Sequence, residues 1–141
     1  MAMTGGTLPH NEVAVNLIAL LKNHLRGKGC RIFGGDAKVM IREMNLFYYP
    51  DVVVTCDPRD RFAREYVSYP CLIVEVISPS TEARDRGIKF RNYFRLKTLD
   101  EYILIDPDRP NLDIFRRNHQ TNNWEFIPTN TNEDIDESEV I

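Results

Sequence analysis

The sequence predicts an α/β fold of the α+β kind, and three stretches carry that prediction. Cys71 to Ile77 reads Cys-Leu-Ile-Val-Glu-Val-Ile, an aliphatic and β-branched run without alternation, which is the pattern of a central strand covered on both faces. Val52 to Cys56 repeats the pattern in a second buried strand. From His10 to Arg26 the apolar residues recur at helical spacing instead.

Residues 1–9 (MAMTGGTLP) form a flexible lead without periodicity. In the helix from about His10 to Arg26, Val13, Leu17, Leu20, Leu21 and Leu25 make one apolar stripe that belongs in the core, and Gly27 offers the left-handed stop. Cys30 to Phe33 and Lys38 to Arg42 read as short strands around the Gly34-Gly35-Asp36 turn. After Met44 to Tyr49, the next strand begins at Asp51, directly behind Pro50, where the missing N–H does no harm. Asp57 to Tyr69 is charged and turn-like, and serves as the loop to the Cys71–Ile77 strand. If these two strands pair as an antiparallel hairpin centred near residue 63, Asp51 lies opposite Glu75, since both are 12 residues from that centre.

Ser78-Pro79-Ser80-Thr81 is a turn whose hydroxyls can cap a helix from about Thr81 to Lys97, with Ile88 and Phe94 as apolar anchors and Gly87 as a weak point. Glu101 to Ile105 is a further apolar strand that closes at Asp106-Pro107-Asp108, and Leu112 to Arg116 with Trp124 to Ile127 make an edge hairpin. Residues 10–128 are therefore one domain, followed by an acidic, mobile tail over 129–141.

Composition excludes several classes. No apolar run approaches the ~20 residues of a membrane span, and the N-terminus lacks a charged-then-apolar signal pattern. Cys30, Cys56 and Cys71 are odd in number and widely spaced, so they read as buried reduced thiols, which favours the cytoplasm. The formal net charge of −3 conceals a basic surface: five of the 21 acids lie between Glu133 and Glu139, leaving 16 against 18 lysines and arginines. Arg84, Arg86, Lys89, Arg91, Arg95 and Lys97 fall within one short stretch beside a single acid, Asp85, and Arg84, Arg86 and Arg91 are the candidates for nucleic-acid contact.

Glu75 is the residue an apolar strand does not need. A buried carboxylate is costly unless it is paired or holds a cation. Two carboxylates on adjacent strands repel unless a divalent ion separates them, and oxygen-only ligation suits Mg²⁺ or Mn²⁺. Asp51 and Glu75 are the candidate ligands, with the backbone carbonyl of Val76 as a third. Such an ion activates water and neutralises charge on a phosphate. Lys89 is the candidate cation for the transition state, and Asp85, Lys89 and Tyr93 stand four apart on one helical face as a supporting set. Glu12, placed in the first turn of the first helix, is a weaker candidate.

Pro50-Asp51, the strand ending Glu75-Val76-Ile77, Ser78-Pro79-Ser80-Thr81, the spacing Asp85, Lys89, Tyr93, and Glu101-Tyr102 ahead of Asp106-Pro107 together resemble the Uma-two family of restriction endonucleases, within the PD-(D/E)XK nuclease superfamily. The resemblance covers roughly His10 to Phe126. It implies a restriction-endonuclease-like mixed β-sheet flanked by helices, Mg²⁺-dependent phosphodiester hydrolysis on DNA, and a homodimer. By position, Asp51 and Glu75 are the metal carboxylates and Lys89 stands in for the superfamily lysine, whose usual place two residues after the Glu is taken by Ile77. Members also carry a segment ahead of the first helix and a longer apolar ending, which this sequence is expected to lack. The rival reading is a catalytically inactive nuclease-fold protein that binds nucleic acid or a protein partner.

Overall fold

The branched residues form strands where expected. In the computed structural model, which describes residues 6–109 and 111–130, α1 (Leu8–His24) precedes β1 (Arg31–Phe33), β2 (Val39–Ile41), β3 (Leu46–Tyr48), β4 (Val52–Thr55) and β5 (Leu72–Val76). Then come α2 (Glu82–Arg86), α3 (Ile88–Tyr93), β6 (Glu101–Asp106), β7 (Asn111–Asn118) and β8 (Asn123–Asn130). β4 and β5 pair antiparallel with Val52 opposite Val74, Val53 opposite Ile73 and Val54 opposite Leu72. That is the register of a hairpin centred on residue 63, and one step further it sets Asp51 against Glu75.

The six-stranded sheet runs β1-β4-β5-β6-β7-β8, with β5 and β6 parallel and the other neighbours antiparallel, so the sheet is mixed. A parallel pair needs a crossover, and α2 and α3 provide it. Alternation along β4 and β5 sorts the core into two layers. Val52, Val54, Leu72 and Val74 meet Leu21 of α1 and Leu25 just past its end on one face, while Val53, Ile73 and Ile77 meet Tyr93, Leu96 and Tyr102 on the other. Helices thus cover both faces, and the fold is restriction-endonuclease-like.

The loop from Asp57 to Tyr69 is fixed rather than loose. Buried Asp60 accepts hydrogen bonds from Thr55 Oγ1 (2.7 Å), the Tyr69 N–H (2.9 Å) and the Ser68 N–H (3.0 Å). Arg31 of β1 donates to the carbonyls of Asp60 and Ala63, both at 2.8 Å.

Several local expectations are corrected. The first helix starts at Leu8, because Thr7 Oγ1 accepts from the His10 N–H and caps it; Gly27 does take the left-handed conformation (φ 78°). Its inward stripe is Ala14, Leu17, Ile18, Leu21 and Leu25, so Leu20, 39% exposed, is not core. The strands flanking Gly34-Gly35 do not pair with each other: β1 joins the main sheet beside β4, and β2 pairs with β3 in a separate two-stranded sheet. The helix expected over Thr81–Lys97 breaks at Gly87, whose ψ of −101° is not helical, and it ends at Tyr93. Ile88, 48% exposed, is not an anchor; Phe90 and Tyr93 pack inward instead.

Cys30 and Cys56 are joined in a disulfide rather than held as separate thiols. The register explains it: Arg31 pairs with Thr55, so the residues one step beyond, Cys30 and Cys56, face each other across β1 and β4. Cys71 keeps a free thiol. Of the expected flexible lead over 1–9 and mobile tail over 129–141, residues 1–5 and 131–141 lie outside the described residues, while Leu8 and Pro9 open α1 and Thr129 and Asn130 end β8.

Candidate active site

The open end of the β4–β5 pair gathers the charged groups. Asp51 sits between Pro50 and the first residue of β4, and Glu75 near the end of β5. Each carboxylate satisfies a backbone donor of the other strand. The Asp51 N–H donates to Glu75 Oε1 (3.2 Å), and the Val76 N–H donates to Asp51 Oδ2 (2.7 Å). The loss of ladder pairing at the hairpin's end is thus made good by side chains.

The crossover helices bring the cation. Lys89 Nζ lies 2.5 Å from Glu75 Oε2 and 3.2 Å from Asp85 Oδ1, with 15% of its side chain exposed against 4% for each carboxylate. The Tyr93 hydroxyl donates to Glu75 Oε2 at 3.4 Å. Placement of this face depends on two hydrogen bonds from elsewhere: Tyr102 Oη donates to the Asp85 carbonyl (2.9 Å), and Asn92 Nδ2 donates to Tyr48 Oη (2.8 Å). Lys89 Nζ also stands 5.5 Å from the centroid of the Tyr48 ring. Asp51, Glu75, Asp85, Lys89 and Tyr93 are therefore one constellation, as the spacing along the chain anticipates.

The remaining candidates divide. Glu12 is exposed and lies beyond the first turn of α1, two residues from His10 and hence on a different side of the helix. His10 itself reaches the site, with Nε2 3.6 Å from Asp51 Oδ1, and nothing in its sequence neighbourhood signals this. Arg86 is committed to Glu82 Oε2 (2.9 Å) and Asp113 Oδ2 (2.6 Å). Arg84 and Arg91 are exposed, and Arg84 stands beside the site, its guanidinium carbon 5.9 Å from the Tyr48 ring centroid.

Burial pushes the Glu75 carboxyl up to about 7, against the pull of Lys89 and with a further push from Asp85 and Asp51. Burial works to lower Lys89, but Glu75 and Asp85 outweigh it and hold the ammonium above its ordinary value. Burial likewise raises the Tyr93 hydroxyl, so it remains a donor. The sign of the linkage follows. A carboxyl whose folded value exceeds its unfolded one binds more protons when folded, so its contribution to stability declines as pH rises from about 4.5 to about 7 and then levels off. In chelator-treated protein, Glu75→Gln should flatten the fall in Tm across that window; an unchanged slope assigns the fall to other groups.

The site's donors suit a hard divalent ion. Asp51 Oδ2 and Glu75 Oε1 each accept one backbone N–H, which leaves lone pairs on both carboxylates. Asp51 keeps 24% of its side chain exposed, so a hydrated ion can reach it. The Val76 N–H points toward β4, and its carbonyl shares that edge. No three of His, Cys, Asp and Glu gather to hold a metal among the described residues, so water would complete the shell, as Mg²⁺ prefers.

A mixed sheet flanked by helices, with two carboxylates on neighbouring strands and a lysine on the crossover helix, is the class of the restriction-endonuclease-like proteins. The Uma2 family model, described as "Putative restriction endonuclease", matches residues 1–141, and the chain belongs to that family. Two proteins of Synechocystis sp. are similar. The "Uncharacterized protein slr1290" is 45% identical over 117 residues, which is 83% of this chain and 62% of the relative. The "Uncharacterized protein sll1609" is 34% identical over 107 residues, or 74% and 60%. The chain thus spans about three fifths of the length of the curated relatives it matches.

Proposed function

We propose that this chain is a Mg²⁺- or Mn²⁺-dependent endodeoxyribonuclease that hydrolyses phosphodiester bonds in DNA. The observation that carries the reading is the convergence of Asp51, Glu75 and Lys89, from two strands and a helix, within ion-pair and hydrogen-bond reach. Asp51 and Glu75, with the Val76 carbonyl, would hold one divalent ion, which when bound lowers the pKa of water and offsets phosphate charge. Lys89 is kept protonated by Glu75 and Asp85, so its part is that of a cation that stabilises the charge developing on the phosphate rather than that of a base. Tyr93 fixes the Glu75 carboxylate through its hydroxyl and is a positioning residue.

Calorimetry with Mg²⁺ and Mn²⁺ on the parent chain, run beside a plasmid-nicking assay, tests the reading. Ion binding together with nicking that chelator abolishes is the expected result. DNA binding without ion binding at millimolar concentration would favour the inactive nuclease-fold alternative. Exposed Arg84 and Arg91 are the proposed phosphate contacts. Log K should fall linearly with log salt, and each of Arg84→Ala and Arg91→Ala should reduce that slope by about 1. A flat dependence would remove the phosphate-contact idea.

The same reading includes a homodimer, which sedimentation of this preparation would reveal. It also includes a cytoplasmic location, now resting on DNA as the substrate because the Cys30–Cys56 disulfide removes the argument from reduced thiols. No helix among the described residues is long and apolar enough to cross a membrane.

A further inference from the structure

The strand order β1-β4-β5 lines up all three cysteines on the face of the sheet that α1 covers. Cys30 precedes β1, Cys56 follows β4, and Cys71 precedes β5, so each lies at the same end of its strand pair. Cys56 occupies the middle. It is bonded to Cys30 on one side, and on the other its Sγ lies 3.9 Å from Cys71 Sγ, which is sulfur–sulfur contact. Cys71 is the free thiol, with Sγ 3.5 Å from the Val54 carbonyl. Nothing in the proposed nuclease chemistry uses these three sulfurs.

We propose that Cys30, Cys56 and Cys71 form a thiol–disulfide exchange site in which Cys56 is the shared sulfur and the bond moves between Cys30 and Cys71. In the forward step Cys71 gives its proton to solvent and the thiolate attacks Cys56 Sγ. The Cys71–Cys56 bond forms, the Cys56–Cys30 bond breaks, and the electron pair leaves on Cys30 Sγ, which takes a proton from solvent. No external oxidant or reductant enters, because one disulfide and one thiol are present before and after. Cys30 is a suitable leaving sulfur: it lines a surface depression with Lys22 and Arg26, whose positive charges favour the departing thiolate.

The exchange changes what the covalent link restrains. With Cys30 bonded, the short edge strand β1 is tied to β4, and Arg31 beside it holds the carbonyls of Asp60 and Ala63. With Cys71 bonded, the link instead joins β4 to β5, the two strands that carry Asp51 and Glu75. Sulfur chemistry at one end of the sheet would then loosen the Asp57–Tyr69 loop and clamp the carboxylate strands.

Cys71 reacts slowly at neutral pH. Burial, with Asp100 and Glu101 nearby, pushes its thiol up to about 11, although backbone hydrogen bonds at Cys71 and Cys56 pull the other way. Exchange through the thiolate should therefore quicken about tenfold per pH unit below that value.

The test uses the full chain purified without reductant, held at neutral and at alkaline pH, quenched in acid, alkylated, and mapped by mass spectrometry of non-reduced peptides. Expected is a Cys56–Cys71-linked peptide that accumulates faster at alkaline pH while Cys30 becomes alkylated. A map showing Cys30–Cys56 alone, with Cys71 alkylated at every pH, would overturn the proposal. Cys30→Ser gives a second readout with circular dichroism as the check on folding: with oxidised glutathione the folded variant should form the Cys56–Cys71 link, and two persistent free thiols in it would also overturn the proposal. Neither outcome depends on DNA cleavage, so the site stands or fails separately from the nuclease reading.

Discussion

Glu75→Ala is expected to abolish divalent-ion binding and to reduce plasmid nicking by about 10²–10³-fold or more, the scale seen when one preorganised electrostatic contributor is removed from an active site. The reasoning starts from burial. Glu75 is nearly inaccessible, and its two oxygens are split between the Asp51 N–H on one side and Lys89 with Tyr93 on the other. Removing it takes away one of the two carboxylates that β4 and β5 bring together. It does not leave Lys89 stranded, since Asp85 remains 3.2 Å away, so the variant should still fold. Calorimetry and nicking on a variant with parental circular dichroism would check this, with Glu75→Gln keeping the side chain's shape. Parental nicking by folded Glu75→Ala would place the chemistry elsewhere.

Lys89→Ala should produce the other large effect, and it should act on stability as well as rate. Glu75 and Asp85 are both 4% exposed, and Lys89 is the cation between them. Breaking a buried ion pair by deleting one partner leaves uncompensated charge, typically at a cost of about 3–5 kcal/mol. That cost must depend on pH, because a buried carboxyl without its cation escapes by taking a proton. The loss in unfolding free energy should accordingly be smaller at pH values well below about 7, where Glu75 is protonated. Denaturant titrations at acidic and alkaline pH would read this directly. For the rate, Lys89→Arg preserves the charge and should restore stability, so any remaining loss of nicking in that variant reports the position of the ammonium. If Lys89→Ala matched the parent in both stability and nicking, the lysine would be a bystander.

Much of this architecture can be read along the chain. The lack of alternation in Val52–Cys56 and Cys71–Ile77 marks two strands buried on both faces, and pairing them as an antiparallel hairpin centred near residue 63 gives the observed register. Asp51 opposite Glu75 follows from that register alone. The four-residue spacing of Asp85, Lys89 and Tyr93 works even though the helix breaks at Gly87, because Lys89 and Tyr93 lie on one side of the break and Tyr102 holds the Asp85 carbonyl on the other.

Elsewhere local pattern is not enough. Leu20 and Ile88 are apolar residues on helices whose inward side is chosen by the sheet, and one helical step turns each outward. Arg86 looks like a phosphate contact in a basic run until β7, reached only after β6, brings Asp113 to it. Cys30 and Cys56 are distant in sequence and meet only because β1 passes over its neighbours β2 and β3 to pair with β4. His10 reaches Asp51 for the same kind of reason.

The sequence by itself determined the strands and, once β4 and β5 are taken as a hairpin, the facing of Asp51 and Glu75, because side-chain periodicity is a property of short segments. Only the tertiary structure decided the sulfur row, the histidine beside Asp51 and the pairing of Arg86 with Asp113. Those contacts join segments far apart in the chain, and no local preference encodes the path that brings them together.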